Sequence, residues 1–174
     1  MDLNGQVAVI TGGAGGIGWS SAQRWLAQGG KVVLADLQVS RGKELAAASD
    51  GRVVFVQCDC RLRRDLENAA ASAMKLGVLT CWFNNAGFAI AADTAHSLES
   101  SGFTDDLKNM LDVNLGAYIE GTGVALRYFD KSRGGTIINT ASMAGVLPLG
   151  APPVYSTTKA AVIHFTRSMG LTLG

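Results

Sequence analysis

The chain has 174 residues, 48% of them hydrophobic and 17% charged, with a formal net charge of +1. That length suits one domain able to bury a real core. The apolar content excludes a disordered chain, and the near-neutral charge leaves no footprint for nucleic acid or an acidic membrane surface.

Short apolar runs alternate with amphipathic ones. A strand is predicted over 6–11 (QVAVIT), then a helix over 16–28 whose apolar face holds Ile17, Ala22, Trp25 and Leu26 and which closes at Gly29-Gly30. A second strand follows over 31–36 (KVVLAD), a helix over 40–48, and a third strand over 52–58. Residues 63–76 form an alanine-rich helix with Leu66, Ala70 and Met74 on one stripe and Gly77 as its stop. The fourth strand covers 79–83. Residues 105–129 read as one long helix, N-capped by Thr104, with Asp105 and Asp106 suiting the positive end of its dipole. A fifth strand covers 135–140, and a last helix runs over 153–173 from a proline.

That order is βαβαβαβαβα. Strands apolar on both faces and separated by helices imply an α/β, doubly wound parallel sheet, the Rossmann fold in strand order 3-2-1-4-5, as a single domain over 1–174. No linker divides the chain. The stretch 134–158 is uncharged, but its three prolines, its glycines and Asn139 make it a strand and loop, not a membrane span. No basic residue precedes Arg24, and the apolar run 7–10 is too short for a secretory leader. Cys58, Cys60 and Cys81 are too few and odd in number for a disulfide framework. Cys58 and Cys60 would share a face in a strand, and no metal-ligand spacing occurs. A soluble cytoplasmic protein without a metal is expected.

The first strand runs into Thr11-Gly12-Gly13-Ala14-Gly15-Gly16-Ile17-Gly18, which opens the first helix. Gly12 permits the tight exit, Gly16 lets backbone approach a pyrophosphate, and Gly18 lets helix and sheet pack closely, with the anion at the helix N-terminus. Asp36 ends the second strand, 18 residues after Gly18 (36 − 18). A carboxylate there can accept from both adenosine ribose hydroxyls and would repel a 2′-phosphate. The next residue, Leu37, brings no compensating cation, and Arg41 falls on the following helix. NAD is favoured over NADP.

Tyr155 and Lys159 stand at i and i+4, on one helix face. A tyrosine's ordinary pKa of ~10 is too high for a base at neutral pH, and an adjacent ammonium favours the phenolate. Ser142 comes 13 residues earlier (155 − 142), just past the fifth strand, where a hydroxyl can hold a substrate oxygen while the tyrosine exchanges its proton.

Together these pieces resemble the short-chain dehydrogenase/reductase family. The matching residues are Thr11-Gly12-x3-Gly16-x-Gly18, Asp59 after the third strand, Asn84-Asn85-Ala86-Gly87 after the fourth, Asn114 in the long helix, Ser142, and Tyr155-x3-Lys159. Within it, residues 4–8, 135–139, 153–155 and 165–168 are most similar to the NAD-dependent 15-hydroxyprostaglandin dehydrogenase group. That group carries a substrate-contacting glutamine where this chain has Pro152. The resemblance implies a catalytic set of Asn114, Ser142, Tyr155 and Lys159. It implies a cofactor set of Gly12, Gly16, Ile17, Gly18, Asp36, Leu37, Asp59, Cys60, Asn85, Ala86, Gly87, Tyr155 and Lys159, with Asp59 and Cys60 at the adenine. Asn114 would interrupt helical bonding to hold a water in a relay with Lys159. The implied reaction moves a hydride between NAD and a secondary alcohol or ketone of lipid-like character. Helices 105–129 and 153–173 would pair in a homodimer or homotetramer.

The family's chains usually run well beyond this length. The resemblance therefore implies a domain truncated at its C-terminus, without the last two strands and the covering helices of the substrate pocket. A second reading, a truncated non-catalytic nucleotide-binding or dimer-partner module, stays open beside the enzyme.

Overall fold

The computed structural model describes residues 2–148 and 152–173. The chain groups into two compact units, one from Met1–Ala86 and Ile119–Ile138, the other from Gly87–Tyr118 and Asn139–Gly174.

The first unit is built on β-branched strands. It contains β1 (Gln6–Thr11), α1 (Gly16–Ala27), β2 (Lys31–Asp36), α2 (Val39–Ala47), β3 (Val53–Gln57), α3 (Arg63–Leu76) and β4 (Val78–Asn84). With β5 (Thr136–Asn139) these strands form a parallel sheet in the order β3-β2-β1-β4-β5, the doubly wound arrangement expected from the element order. The register sets Ile10 beside Leu34 and, across β4, beside Phe83. Between Val7 and Ala8 the pairing with β4 skips one residue.

Side-chain alternation divides the sheet into two faces. Ala8, Ile10, Val32, Leu34, Val53 and Cys81 are buried with Ala22 of α1, and Trp19, Trp25, Leu45 and Phe55 pack against them. Leu66, Ala69, Ala70 and Ala73 of α3 are completely buried on the opposite side, where Val7, Val9 and Val33 also lie. Each such branched side chain contributes about 1.5–3 kcal/mol by leaving water.

The second unit holds α4 (Ala95–Ser101), α5 (Asp105–Leu111), a π-helical turn (Asp112–Gly116), a 3₁₀ turn (Met143–Gly145) and α7 (Pro153–Leu173). α6 (Ala117–Tyr128) begins in it with Ala117 and Tyr118 and continues into the first unit. α7 packs against α5, the π turn and the 3₁₀ turn.

Four sequence expectations need correction. The long helix over 105–129 is not regular, because the π turn separates α5 from α6. Helix α4 was not foreseen; it buries no residue and so carries no apolar stripe, but Thr94 caps it by accepting from the Ser97 N–H at 3.0 Å. Cys58 and Cys60 lie beyond the last residue of β3, so strand alternation does not govern them, though both are buried. On α3, Met74 is 51% exposed, and Ala69 and Ala73 complete the buried stripe instead. Two steps of four residues over-rotate by about 80° in an α-helix, which carries the third member of an i, i+4, i+8 series off the face.

Among the described residues no helix is long and apolar enough to cross a membrane, and no cluster of metal-ligating side chains occurs. The corrected α3 stripe predicts that Leu66→Ala lowers stability by about 2–5 kcal/mol. Met74→Ala should change it by no more than ~0.5 kcal/mol. Urea denaturation midpoints check both.

Candidate active site

The glycine loop leaves β1 at Gly12, whose φ of +63° is a left-handed conformation that favours glycine. The Gly12 N–H donates to the Ala35 carbonyl at 2.8 Å, tying the turn to β2. A Cβ on Gly18 would fall 2.3 Å from the Gly12 carbonyl oxygen, so the start of α1 can approach the loop only without a side chain. A Cβ on Gly16 would meet nothing within 4 Å. The residue preceding α1 is Gly15, and no side chain caps the first turn. Its backbone donors and the open space over Gly16 could therefore receive an anion.

Asp36 is buried, and both of its oxygens are in use. Oδ2 accepts from the Ala14 N–H and Oδ1 from the Gln38 N–H, each at 2.9 Å. The Nε of Arg41 on α2 donates to the Ala14 carbonyl at 2.8 Å. The peptides on either side of Ala14 are thus each gripped, one by its N–H and the other by its C=O. Each carboxylate oxygen keeps a second lone pair for a ribose hydroxyl. Ile17 and Leu37 stand out in solvent, at 65% and 61% exposure. Ile17 is therefore not on the α1 face that packs on the sheet, where the periodicity placed it.

Asn85 braces the loop from the other side, its Nδ2 donating to the Thr11 and Gly12 carbonyls at 3.1 and 3.3 Å. The Thr11 hydroxyl oxygen accepts from the Asn85 and Ala86 N–H groups, at 3.0 and 3.2 Å. Asn84 is buried, and its Oδ1 accepts from the Trp82 indole at 2.8 Å. Asp59 pairs with Arg61, whose Nε donates to Oδ1 at 2.9 Å. Those hydrogen bonds from Arg61 hold the Asp59 carboxyl below its usual range. Burial pushes the Cys60 thiol up to about 11 and that of Cys58 to about 12, so both stay neutral.

The second unit brings together Gly87, Asn114, Tyr155 and Lys159. Tyr155 lies in the first turn of α7, and its placement depends on a residue the sequence did not reveal. Asp93 is 1% exposed; its Oδ1 accepts from the Val154 N–H at 2.9 Å and its Oδ2 from the Tyr155 N–H at 2.7 Å. A carboxylate there satisfies two unpaired donors and complements the helix dipole.

Lys159, one turn further on, is buried. Its Nζ donates to the Thr140 carbonyl at 2.9 Å and to the Tyr118 hydroxyl oxygen at 3.3 Å, and lies 5.8 Å from the centroid of the Tyr155 ring. Desolvation by burial pushes its pKa down to about 8.

Asn114 is fully buried in the π turn. Its Oδ1 accepts from the Phe88 N–H at 3.0 Å and its Nδ2 donates to the Phe88 carbonyl at 2.7 Å. This two-point grip occupies the side chain inside the widened turn, where ordinary α-helical bonding is interrupted. A Cβ on Gly87 would lie 3.0 Å from Asn114 Oδ1 and 3.5 Å from Lys159 Nζ, so a side chain here would crowd both. Ser142 is half-buried, and its Oγ accepts from the Ala144 N–H at 3.2 Å, a bond that leaves its own proton unused.

The short chain dehydrogenase family profile matches residues 6–174. The chain is 34% identical to human 15-hydroxyprostaglandin dehydrogenase [NAD(+)] over 180 residues, covering 98% of this chain and 63% of that one. It is 37% identical to a mitochondrial borneol dehydrogenase of Lavandula x intermedia over 175 residues, covering 99% and 65%. Among solved structures it resembles a glucose/ribitol short-chain dehydrogenase/reductase from Brucella melitensis, with a TM-score of 0.87 at 26% identity, covering 100% of this chain and 73% of that one. The chain spans less than two thirds of the length of these curated relatives.

The depressed Lys159 pKa has a linkage consequence. Between about 8 and the ordinary 10.5 the unfolded chain holds this proton and the folded chain does not, so stability from this group rises with pH across that window. Wild type should gain on Lys159→Met by up to about 3 kcal/mol between pH 7 and the upper end of the window, as read by urea denaturation of both proteins at each pH. A constant difference would contradict the burial assignment.

Proposed function

The chain belongs to the short chain dehydrogenase family, and on that footing we propose that it is an oxidoreductase moving a hydride between a secondary alcohol or ketone and NAD. The observation that carries this reading is the buried Lys159 ammonium, held by Thr140 and Tyr118 and lying 5.8 Å from the Tyr155 ring. A lysine is costly to bury, and one kept beside the tyrosine at i−4 has a use there that packing alone does not supply.

In the oxidation direction Tyr155, as phenolate, takes the proton of the substrate hydroxyl. The carbinol hydrogen leaves with its electron pair, and the carbon becomes a carbonyl. NAD, when bound, supplies the acceptor for that hydride. Ser142 donates its unused proton to the substrate oxygen and fixes its direction. Lys159 lowers the cost of the phenolate. Asn114, gripped by Phe88, keeps the π turn open beside Gly87. In the first unit Gly12, Gly16, Ile17, Gly18, Asp36, Leu37, Asp59, Cys60, Asn85 and Ala86 would hold the dinucleotide.

NAD is preferred over NADP because Asp36 presents a carboxylate where a 2′-phosphate would sit and Leu37 adds no cation. A lipid-like substrate suits Met143, Val146 and Leu147, all more than half exposed just after Ser142; the relatives named for a prostaglandin and for borneol point the same way. Exposed Ile119 on α6 and Leu171 and Leu173 on α7 support pairing with a second copy through those helices. Three buried, unpaired cysteines suit a reducing cytoplasm.

Tyr155→Phe should slow NAD reduction by a secondary alcohol by about 10²-fold or more, read at saturating NAD so that any loss of cofactor affinity does not enter. Retained turnover would reject Tyr155 as the proton acceptor. Because Asp36 also anchors Ala14, Asp36→Ala should weaken both dinucleotides, NAD more than NADP. Equal losses would refute its ribose role.

A further inference from the structure

The ammonium of Lys159 has three N–H bonds to place in a buried site. One goes to the Thr140 carbonyl and one to the phenol oxygen of Tyr118. Tyr118 is 1% exposed, and its ring centroid lies 4.9 Å from Nζ. Together with the hydrogen bond, that distance places the ammonium at the hydroxyl end of the ring. Tyr118 is the second residue of α6, directly after the π turn that carries Asn114.

We propose that Tyr118 is a positioning residue for the reaction, its oxygen and ring holding the Lys159 ammonium charged and directed at Tyr155. The proposal rests on the oxidoreductase reading. The competing account is a core tyrosine whose hydroxyl found a nearby partner, a common arrangement for buried phenols. The surroundings separate the two. Burial is what lowers Lys159, and no carboxylate offsets it. The titratable groups nearest on α7 and at its start are Tyr155 and Asp93, and both Asp93 oxygens are taken by backbone N–H groups. His164 and Arg167 on α7 are exposed, as are Asp105, Asp106 and Lys108 on α5 and Asp112 in the π turn. The charged state of Lys159 is therefore supported by neutral groups, and of the two tyrosine rings near it Tyr118 is the nearer and the one whose oxygen accepts from Nζ.

Tyr118→Phe removes the oxygen and keeps the ring; Tyr118→Leu removes both. The first measurement follows Lys159 directly, by NMR titration of isotope-labelled lysine side chains in the full chain, assigned with Lys159→Met. The midpoint should fall by roughly one unit in Tyr118→Phe, a tenfold change in the charged-to-neutral ratio, and further in Tyr118→Leu. The second measurement is the pH–rate profile of NAD reduction, whose alkaline limb should move to lower pH in the same order. kcat should fall while the NAD dissociation constant stays within about twofold. A thermal melt of each variant checks that it is folded. An unmoved Lys159 midpoint in folded Tyr118→Phe overturns the proposal whether or not wild type turns over. A lowered midpoint in a chain that never reduces NAD supports the contact and rejects the oxidoreductase reading.

Discussion

A primary ammonium taken out of water must be surrounded by oxygens or lose its proton. In the second unit much of the local geometry serves that requirement. The Thr140 carbonyl just past β5, the Tyr118 phenol at the start of α6 and the stripped backbone at Gly87 converge on Lys159. Asp93 fixes the start of the helix that carries the lysine. The result is a charge kept near its point of deprotonation, which suits a group that stabilises a transient phenolate. Such a site is costly to the fold, and this links the chemistry to the stability of α7.

The first unit solves a different problem with the same economy of groups. A loop proposed to hold a phosphate needs bare backbone donors, so it cannot be held by its own side chains. Here the peptides on either side of Ala14 are held from outside, by Asp36 and by Arg41, while Asn85 and Thr11 fasten the loop to the end of β4. Asp36 anchors the loop through Ala14 and the following turn through Gln38, which gives a buried acid at the end of a strand a structural task beside its proposed one.

Much of this was legible in the sequence. The β-branched runs gave away the strands because a sheet covered on both faces tolerates little polarity, and the helix α3 over 63–76 was bounded by Gly77. Gly12, Gly16 and Gly18 were legible through spacing. Three features were not. The π turn inserts one residue into a helix without disturbing its apolar pattern. Asp93 sits in a stretch without periodicity, and its partners lie 61 and 62 residues away. Tyr118 is an apolar-looking member of a helix in the sequence, and the partner of its hydroxyl is 41 residues distant. Periodicity reports which face is buried; it says nothing about which polar tip meets which.

The most direct test is whether the purified chain forms NADH from a secondary alcohol, and whether deuterium at the carbinol carbon slows it. A chain that works as proposed forms NADH with a primary isotope effect under single-turnover conditions. A chain that binds NAD tightly yet forms no NADH from short, cyclic or lipid-like secondary alcohols between pH 6 and 10 would contradict it, and would make this a nucleotide-binding module.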